Sequence, residues 1–379
     1  MGKVPLGGEM KILHVTQGIN PKSGGPTRSV KGICRALAKM GEDVTLLVLG
    51  GHHEFDNPCG VKVIYGQTVD VREFDLVHLQ GLWSPKLHRI AKACRKAGVK
   101  YMMSPRGMLD PWALGVKKWK KRLAMFLYQK RDLKGAAAFH VTAALEEKSV
   151  RAQGLNQPVI IAPNGVDLPE VMPPKTSAMP KTAIFLSRLH PGKGLLTLAE
   201  AWARVKPQGW RMKVVGPDSY GHKAEVVAKL AELGILDQWE FVDMLNDVEK
   251  WSAYRAADLL VHPSVSENFG ITIVEGLAAE LPVIATKGTP WKDLVDHDCG
   301  WWIDQGVDAL ESALRDAFGR VERGEYVEMG NRGRLLIEQK YTWKAVVDHV
   351  KHGYERVLNP CEHAPCENCR NYGDTCVIK

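Results

Sequence analysis

The sequence predicts an α/β protein with two domains, each built on a doubly wound parallel sheet. Short apolar segments alternate with helical ones from Lys11 to about residue 162, a pattern typical of βαβ units. A proline-rich segment without periodicity, Leu168–Pro180, interrupts this alternation, which restarts at Thr182. The 379 residues also exceed what one core usually accommodates. We therefore expect two domains of similar architecture.

The first domain begins with the strand Lys11–Val15, a loop rich in glycine, proline and serine, and a helix from Thr27 to Met40. Gly41 marks the end of that helix. The remaining strands are expected at Val44–Leu49, Val61–Tyr65, Leu76–Leu79, Lys100–Met103, Ala136–Val141 and Val159–Ala162, with helices at Pro85–Ala97 and Leu145–Gln153.

The second domain repeats the pattern after a linker at about residues 168–181. Its predicted strands are Thr182–Leu186, Met212–Val215, Trp239–Val242 and Leu259–His262, and its predicted helices include Gly194–Val205 and Lys223–Leu233. We place the domains at residues 1–172 and 173–341. A C-terminal helix at 342–358 and a cysteine-rich tail at 359–379 follow.

Composition excludes several classes of protein. Hydrophobic residues make up 45% and charged residues 25%, which is ordinary globular usage. No apolar run approaches the ~20 residues that span a bilayer. The segment Met1–Gly8 has no apolar stretch of the kind found in secretory signals, so we expect a cytoplasmic protein.

The net charge of +8 is partly concentrated in Lys117–Arg131, where lysines and arginines alternate with aromatic and aliphatic residues. Such a helix suits an anionic membrane surface, which would place the protein at the inner face of the membrane. A solvated helix whose apolar side is core explains the same pattern, and both interpretations stay open. No nucleic-acid recognition motif accompanies the charge, so no nucleic-acid partner is expected.

The segment Glu267–Glu275 carries the strongest functional signal. It follows an apolar strand, contains Asn-Phe-Gly, and leads into a helix. In an open parallel sheet, ligands bind where strands end and helices begin, and the N–H groups at a helix start suit phosphate. Glu267 would accept hydrogen bonds from sugar hydroxyls, and Glu275, two turns later, would reach a second pair such as those of a ribose. A sugar-phosphate or nucleotide-sugar ligand is indicated.

The same segment, S-E-N-F-G-I-T-I-V-E-G-L-A, resembles the glutamate-x(7)-glutamate signature of retaining glycosyltransferase family four, the group 1 glycosyltransferases with the GT-B fold. The resemblance implies two domains facing across a cleft, with the last helix crossing back to the first domain. It implies that Glu267 contacts the donor sugar and that Glu275 binds the ribose. The remaining donor-binding positions that it implies in this segment are Asn268, Phe269, Gly270 and Ile271.

The segment Ser187–Leu195 resembles the S-R-L-x-x-x-K-G-L motif of the same family. There, the arginine and lysine bind the donor diphosphate, which assigns that role to Arg188 and Lys193. The physical reason is that a departing nucleoside diphosphate gains negative charge, which fixed cations stabilise.

Two segments of the first domain match the family less closely. Gly24 and Gly25 lie in the loop after the first strand and, by resemblance, let the backbone approach the diphosphate. Arg106 occupies a position where many members of the family have histidine. Because an arginine stays protonated, it cannot act as a general base. It could hydrogen-bond the donor sugar, hold an anionic acceptor, or form a structural salt bridge.

Two further positions complete the predicted donor site. Gly216 ends a strand in a segment similar to the V-x-G-x-G stretch of the family, although the second glycine is absent. Met244 follows a later strand and would lie near the nucleobase.

The tail contains Cys361, Cys366, Cys369 and Cys376 within C-E-H-A-P-C-E-N-C-R-N-Y-G-D-T-C. Four closely spaced thiolates can bind zinc tetrahedrally, and an unligated tail is the alternative. The resemblance implies no metal or other cofactor in catalysis.

These observations together predict a retaining hexosyltransferase. It would move a sugar from a UDP- or GDP-sugar to a glycan or lipid-linked acceptor, in cell-surface polysaccharide or lipopolysaccharide synthesis. A nucleotide-sugar epimerase of the same fold and a non-catalytic nucleotide-sugar binding protein are the alternatives.

Overall fold

The computed structural model describes residues 8–20, 25–51, 55, 59–176, 179–219 and 221–359. The chain forms two compact units. The first unit ends at Asp167 and resumes at Trp343, and the second unit comprises Leu168–Thr342.

The first unit is built on a seven-stranded sheet in the order β3-β2-β1-β4-β5-β6-β7. All of its strand pairs are parallel. The strands β1, β2 and β4 are almost entirely buried, as expected for a sheet covered on both faces. The strand bounds are β1 Lys11–Thr16, β2 Asp43–Val48, β3 Lys62–Tyr65, β4 Leu76–Gln80, β5 Lys100–Ser104, β6 Ala138–Val141 and β7 Val159–Ile161.

The helices of the first unit include one π-helical segment, Met125–Gln129, between two short α-helices. The basic segment predicted from the sequence is therefore helical but interrupted. The helix bounds are α1 Gly25–Lys39, α2 Pro85–Ala97, α3 Pro111–Gly115, α4 Lys118–Ala124, α5 Lys130–Gly135, α6 Ala144–Arg151 and, from the end of the chain, α14 Trp343–Leu358.

Helix α2 shows how local sequence fixes an element. The hydroxyl of Ser84 accepts a hydrogen bond from the N–H of Leu87 at 3.3 Å, and Pro85 occupies the first turn, where its missing N–H costs nothing. Gly98 ends the helix with a φ of 71°, the left-handed conformation that favours glycine.

The second unit is built on a six-stranded parallel sheet in the order β10-β9-β8-β11-β12-β13. Its strands are β8 Lys181–Leu186, β9 Trp210–Val215, β10 Trp239–Val242, β11 Leu259–His262, β12 Val283–Thr286 and β13 Gly300–Ile303. Its helices are α7 Leu195–Val205, α8 His222–Glu232, α9 Asp247–Arg255, α10 Ile271–Ala278, α11 Asp293–Asp296, α12 Val307–Glu322 and α13 Tyr326–Lys340. The predicted fold class, two doubly wound parallel sheets, is confirmed.

Helix α14 is joined to the first unit through close packing. An added Cβ at Gly32 of α1 would lie 2.1 Å from the ring of Trp343, and one at Gly165 would lie 2.4 Å from the same ring. Both positions therefore have to be glycine for the indole to fit. Farther along α14, an added Cβ at Gly353 would lie 2.6 Å from the side chain of Ile160 in β7.

A chain of buried hydrogen bonds continues this junction into the sheet. Tyr354 of α14 contacts His78 of β4 through Oη and Nδ1 at 2.6 Å, and contacts His14 of β1 through Nε2 at 3.3 Å. His78 Nε2 lies 2.7 Å from Ser104 Oγ, and Ser104 Oγ lies 3.1 Å from His140 Nδ1.

The direction of each hydrogen bond follows from the two ends of this chain. At one end His140 Nε2 lies 3.0 Å from the carbonyl oxygen of Ala162, which only accepts, so Nε2 carries the proton. At the other end Gln80 accepts from Arg106 and its amide donates to His14 Nδ1 at 3.1 Å. Every bond is satisfied when all three histidines are neutral and protonated at Nε2.

The pKa shifts agree with neutral imidazoles. Burial is the main cause, and the charge of Arg106 adds to it, lowering the pKa of His14 and of His140 to about 3. Burial and the two neighbouring histidines also lower the pKa of His78 well below its usual value.

We expect the first unit to lose stability as the pH falls from about 6.5 towards 3. The unfolded chain protonates these histidines near their ordinary pKa of ~6.5, whereas the folded unit keeps His14 and His140 neutral until about pH 3. The pKa of His78 is also lowered well below its usual value. The contribution of these histidines to the free energy of unfolding should be fully present above pH 6.5 and should decline below it. Hydrogen exchange with mass spectrometry, corrected for intrinsic rates, should show β1, β4 and α14 losing protection at higher pH than β8 and β11. Loss of protection in β8 and β11 at a higher pH than in β1, β4 and α14 would contradict this prediction.

Candidate active site

Four loops meet at the carboxyl edge of the second sheet, after β8, β9, β11 and β12. Backbone hydrogen bonds tie them together. The N–H of Val265 donates to Gly192 O at 2.9 Å, that of Leu189 to Pro217 O at 3.0 Å, and that of Glu267 to Gly288 O at 2.9 Å. Parallel strands bring these segments to one edge, where ligands of open α/β sheets bind.

Two glycines allow the loops to approach this closely. Gly194 has a φ of +75°, and a Cβ there would lie 2.1 Å from the carbonyl oxygen of Pro263. Gly216 has a φ of +141°, and its Cβ would lie 2.0 Å from the carbonyl oxygen of Ser187. No other residue type fits either position, so Gly216 acts through the packing of the two loops.

An ion pair between Lys193 and Glu267 lies at the centre of these loops. Each side chain is only 17% exposed. Glu267 Oε1 also lies 3.0 Å from His262 Nε2 and accepts from the hydroxyl of Ser264 at 3.2 Å. The carboxylate is thus held by three side chains.

The electrostatics keep Glu267 ionised. Burial alone would raise the pKa of its carboxyl group, but the charge of Lys193 and the hydrogen bond with His262 hold that pKa well below its usual range. His262 Nδ1 is buried and has no partner among the residues described. A bare lone pair there is less costly than an unpaired N–H, so His262 is protonated at Nε2 and donates to Glu267.

Arg188 lies on the same loop as Lys193 but is exposed. Within the described ranges it forms no hydrogen bond or ion pair. Burial, together with the charges of Arg188 and Lys193, lowers the pKa of His190 between them. The loop after β8 therefore presents a positive field, with Lys193 fixed and Arg188 available to a ligand.

Glu275 lies in a different environment from the one expected from the sequence. It is buried inside α10, where its carboxylate lies 2.7 Å from Lys250 Nζ and accepts from the hydroxyl of Tyr254 at 3.1 Å. The helix begins at Ile271, and within it Glu275 faces α9. Sequence reasoning did not identify Lys250 or Tyr254.

The residues between the two glutamates begin α10. Phe269 is 5% exposed and packs against Trp291 and Tyr341, and its carbonyl oxygen accepts from the indole of Trp291. Gly270 has a φ of +83° and caps the helix, while Asn268 and Ile271 stay partly exposed. Met244 is 52% exposed in the loop after β10. The aromatic cluster fixes where the helix N–H groups point.

Family comparisons cover most of the chain. Residues 171–351 match the model of glycosyl transferases group 1, and residues 63–165 match a glycosyl transferase 4-like domain. The chain belongs to the group 1 glycosyltransferases. This confirms the family and the GT-B fold class predicted from the sequence.

Relatives of this glycosyltransferase align over part of their length. The chain is 27% identical to phosphatidyl-myo-inositol mannosyltransferase of Mycobacterium leprae, over 54% of this chain and 55% of the relative. It is 34% identical to D-inositol 3-phosphate glycosyltransferase of Mycolicibacterium smegmatis, over 47% and 41%. The chain thus spans about half the length of the curated relatives it matches.

Solved structures show the same fold at low identity. HepE of Anabaena, in complex with UDP and glucose, has a TM-score of 0.72 and 19% identity, over 91% of this chain and 99% of that one. Sucrose-phosphate synthase of Thermosynechococcus elongatus has a TM-score of 0.74 and 17% identity, over 92% and 99%.

The structure gives the positions of some of the predicted site residues in the first unit of the glycosyltransferase. Gly25 is the first residue of α1, while Gly24 lies outside the described residues. Arg106 lies in the loop after β5 and contacts neutral side chains, so the structural salt bridge considered for it is absent from the described chain.

The predicted zinc site of the tail lies outside the described residues. Its four ligands would be Cys361, Cys366, Cys369 and Cys376. The residues that the structure describes contain no group of three or more side chains that could hold a metal ion.

We expect Lys250→Met to lower the free energy of unfolding by about 3–5 kcal/mol, because it leaves the buried Glu275 carboxylate without its cation. Urea unfolding measures the loss. Lys229→Met is the matched control, since Lys229 pairs with the exposed Glu232 and should cost about 1 kcal/mol or less. Equal losses in the two variants would show that burial does not determine the strength of the Glu275 pair.

Proposed function

We propose that this glycosyltransferase moves a hexosyl unit from a UDP- or GDP-sugar to a glycan or lipid-linked acceptor, with retention of configuration. Cell-surface polysaccharide or lipopolysaccharide synthesis is the proposed context. The observation that carries the proposal is the Lys193–Glu267 pair beside the exposed Arg188, at the sheet edge where ligands of this fold class bind.

The names of relatives and neighbours support this substrate class. The relatives include mannosyltransferases, and one solved neighbour contains UDP and glucose. Applied to this chain, these names favour a nucleotide-sugar donor and a glycan or lipid-linked acceptor.

The proposed chemistry uses the charges at the sheet edge. The bond between the anomeric carbon and the diphosphate oxygen breaks, and the acceptor oxygen bonds to that carbon on the same face. The leaving phosphate oxygen takes the proton of the acceptor hydroxyl. Lys193 and Arg188 stabilise the negative charge that develops on the diphosphate. Glu267, kept ionised, accepts hydrogen bonds from the donor sugar.

The remaining donor-site roles extend the same proposal. The N–H groups from Phe269 to Ile271, at the start of α10, face the donor, and Asn268 lies beside them. Gly216 shapes the phosphate end through the packing of its loop, and Met244 lines the nucleobase end. The contact of Gly24 and Gly25 with the diphosphate stays a prediction from the family resemblance.

The proposed ribose contact of Glu275 requires part of its carboxylate to remain reachable beside Lys250. A larger loss of nucleoside diphosphate affinity in Glu275→Gln than in Glu267→Gln would support it.

Lys193→Ala and Arg188→Ala should each lower donor turnover by about one to three orders of magnitude, as expected on removing a fixed group that stabilises developing negative charge. Release of free nucleoside diphosphate in the presence of an acceptor measures turnover. Arg204→Ala is the control, because Arg204 is an exposed arginine of the same unit that pairs with Asp308.

Wild-type turnover in both Lys193→Ala and Arg188→Ala would reject the proposed mechanism. Formation of a second nucleotide sugar instead of free nucleotide would indicate an epimerase. Tight donor binding without turnover across a broad acceptor panel would indicate a binding protein.

We also propose that the segment Lys117–Arg131 binds an anionic membrane surface. Large apolar side chains project into solvent there, with Phe126 86% and Trp119 67% exposed. Leu123 and Leu127, on the same short helical stretch, are 51% and 64% exposed. The segment also contains seven cations: Lys117, Lys118, Lys120, Lys121, Arg122, Lys130 and Arg131. None of the described helices is both long and apolar enough to cross a bilayer.

This combination favours an interfacial surface over a solvated helix. A core-facing apolar side would be buried, whereas these side chains are exposed beside cations that anionic lipids attract.

Trp119→Ser combined with Phe126→Ser should weaken binding to vesicles of phosphatidylcholine with phosphatidylglycerol by about tenfold or more, because two exposed apolar anchors are lost. Sedimentation with vesicles measures binding. The paired control is Val171→Ser with Val248→Ser, two residues of the second unit that are 84% and 76% exposed. Equal binding to vesicles of phosphatidylcholine alone would argue against a role for the cations.

A further inference from the structure

Arg106 is held in a strained loop at the carboxyl end of β5. Its φ is +55°, which is unusual for a residue other than glycine, and Gly107 follows with a φ of +74°. The buried carboxylate of Glu146 fixes this turn by accepting from the N–H of Gly107 at 2.7 Å and from that of Thr142 at 2.9 Å. Strain that the surroundings maintain in this way is a frequent property of ligand-binding positions.

The guanidinium of Arg106 donates to uncharged partners. Its Nε and Nη2 donate to Gln80 Oε1 at 3.1 and 2.7 Å, and its Nη1 donates to Asn164 Oδ1 at 2.9 Å. An arginine has five N–H donors, so one N–H on each terminal nitrogen has no acceptor within the described residues. The residue as a whole is partly exposed.

Among the described residues, no counter-charge contacts the guanidinium of Arg106. Gln80 leads into the chain of three neutral histidines, which supplies dipoles but no anion. Glu146 is the strongest negative influence, but both of its oxygens bind the backbone. Burial lowers the pKa of Arg106, and the charge of Glu146 offsets this only in part. A largely desolvated cation of this kind is costly unless an anion completes its environment.

We propose that Arg106 is an oxyanion subsite of the first unit that binds a phosphate group of one substrate. The inference rests on the proposed transfer function and specifies what Arg106 recognises. A planar guanidinium with an N–H on each terminal nitrogen matches two phosphate oxygens. A sugar hydroxyl would satisfy one donor but leave the charge uncompensated. The phosphate belongs either to the acceptor or to the donor diphosphate. Glu146 is a positioning residue, because it holds the loop that carries Arg106.

Isothermal titration of the full chain tests the subsite with three phosphate probes: inorganic phosphate, mannose 6-phosphate and UDP. Mannose and uridine are the uncharged counterparts. Arg106→Gln keeps a polar amide beside Gln80 and Asn164 but removes the charge. It should lower the affinity of at least one phosphate probe by about tenfold to a hundredfold, with the affinities of mannose and uridine unchanged. Arg204→Gln is the control at an exposed arginine.

The pattern across the probes identifies the source of the phosphate. Loss for mannose 6-phosphate or inorganic phosphate, with UDP affinity intact, supports a phosphate on the acceptor. Loss confined to UDP supports the donor diphosphate. If no phosphate probe binds wild-type protein more tightly than Arg106→Gln, the subsite is overturned.

A second variant, Arg106→Lys, tests the subsite if Arg106→Gln does not fold. Arg106→Lys keeps the charge but loses the planar fork, so phosphate affinity should fall several-fold while mannose affinity stays constant. Unchanged phosphate affinity in Arg106→Lys would overturn the proposal.

Donor turnover on the same preparations separates this inference from the proposed function. If Lys193→Ala lowers turnover as expected but the probe affinities of Arg106→Gln are unchanged, the proposed function stands and the subsite is rejected. If wild-type protein binds no nucleotide but binds phosphate in a way that depends on Arg106, the proposed function is rejected and the subsite stands.

Discussion

The ion pair between Lys193 and Glu267 organises the candidate site of the second unit. It joins the loop after β8 to the loop after β11, and the backbone bond from Val265 to Gly192 reinforces the same junction. The pair can form only because Gly194 lets the first loop lie against Pro263. Glu267 is thereby kept ionised inside a mostly buried site, where an isolated carboxylate would take up a proton. The charge pattern available to a ligand depends on this contact.

Local sequence was sufficient to predict the fold class and the loop positions of the site. Alternating apolar and amphipathic segments indicated two parallel sheets, and glycines beside charged residues marked the strand ends, as at Lys193 and Gly194. The environment of Glu275 was predicted less well, because an eight-residue spacing does not fix where a helix begins. Since α10 starts at Ile271, Glu275 turns towards Lys250 and Tyr254. Helix phase is set here by the packing of Phe269 against Trp291 and Tyr341, which are distant in sequence.

The buried histidine chain of the first unit could not have been predicted from sequence. His14, His78 and His140 each lie in an apolar strand, where a single histidine has no visible partner. They meet because β1, β4 and β6 belong to one sheet, and Tyr354 reaches them from 276 residues beyond His78. His262 was missed for a similar reason: its hydrogen bond to Glu267 depends on the turn between them, although the two residues are near in sequence.

The cations of the two candidate sites have different partners: Lys193 pairs with a carboxylate, whereas Arg106 contacts neutral amides. This difference affects how each would bind a ligand. Lys193 is neutralised by Glu267, so a ligand that takes its charge must compete with, or share, an existing partner. Within the described part of the chain, Arg106 has neutral partners, Gln80 and Asn164, and Gln80 in turn donates to the neutral His14. A proton added to His14 would place a second cation beside Gln80 and disrupt the hydrogen bond that orients Arg106. The low pKa of His14 therefore also preserves the hydrogen bond from Gln80 that helps to orient the guanidinium of Arg106.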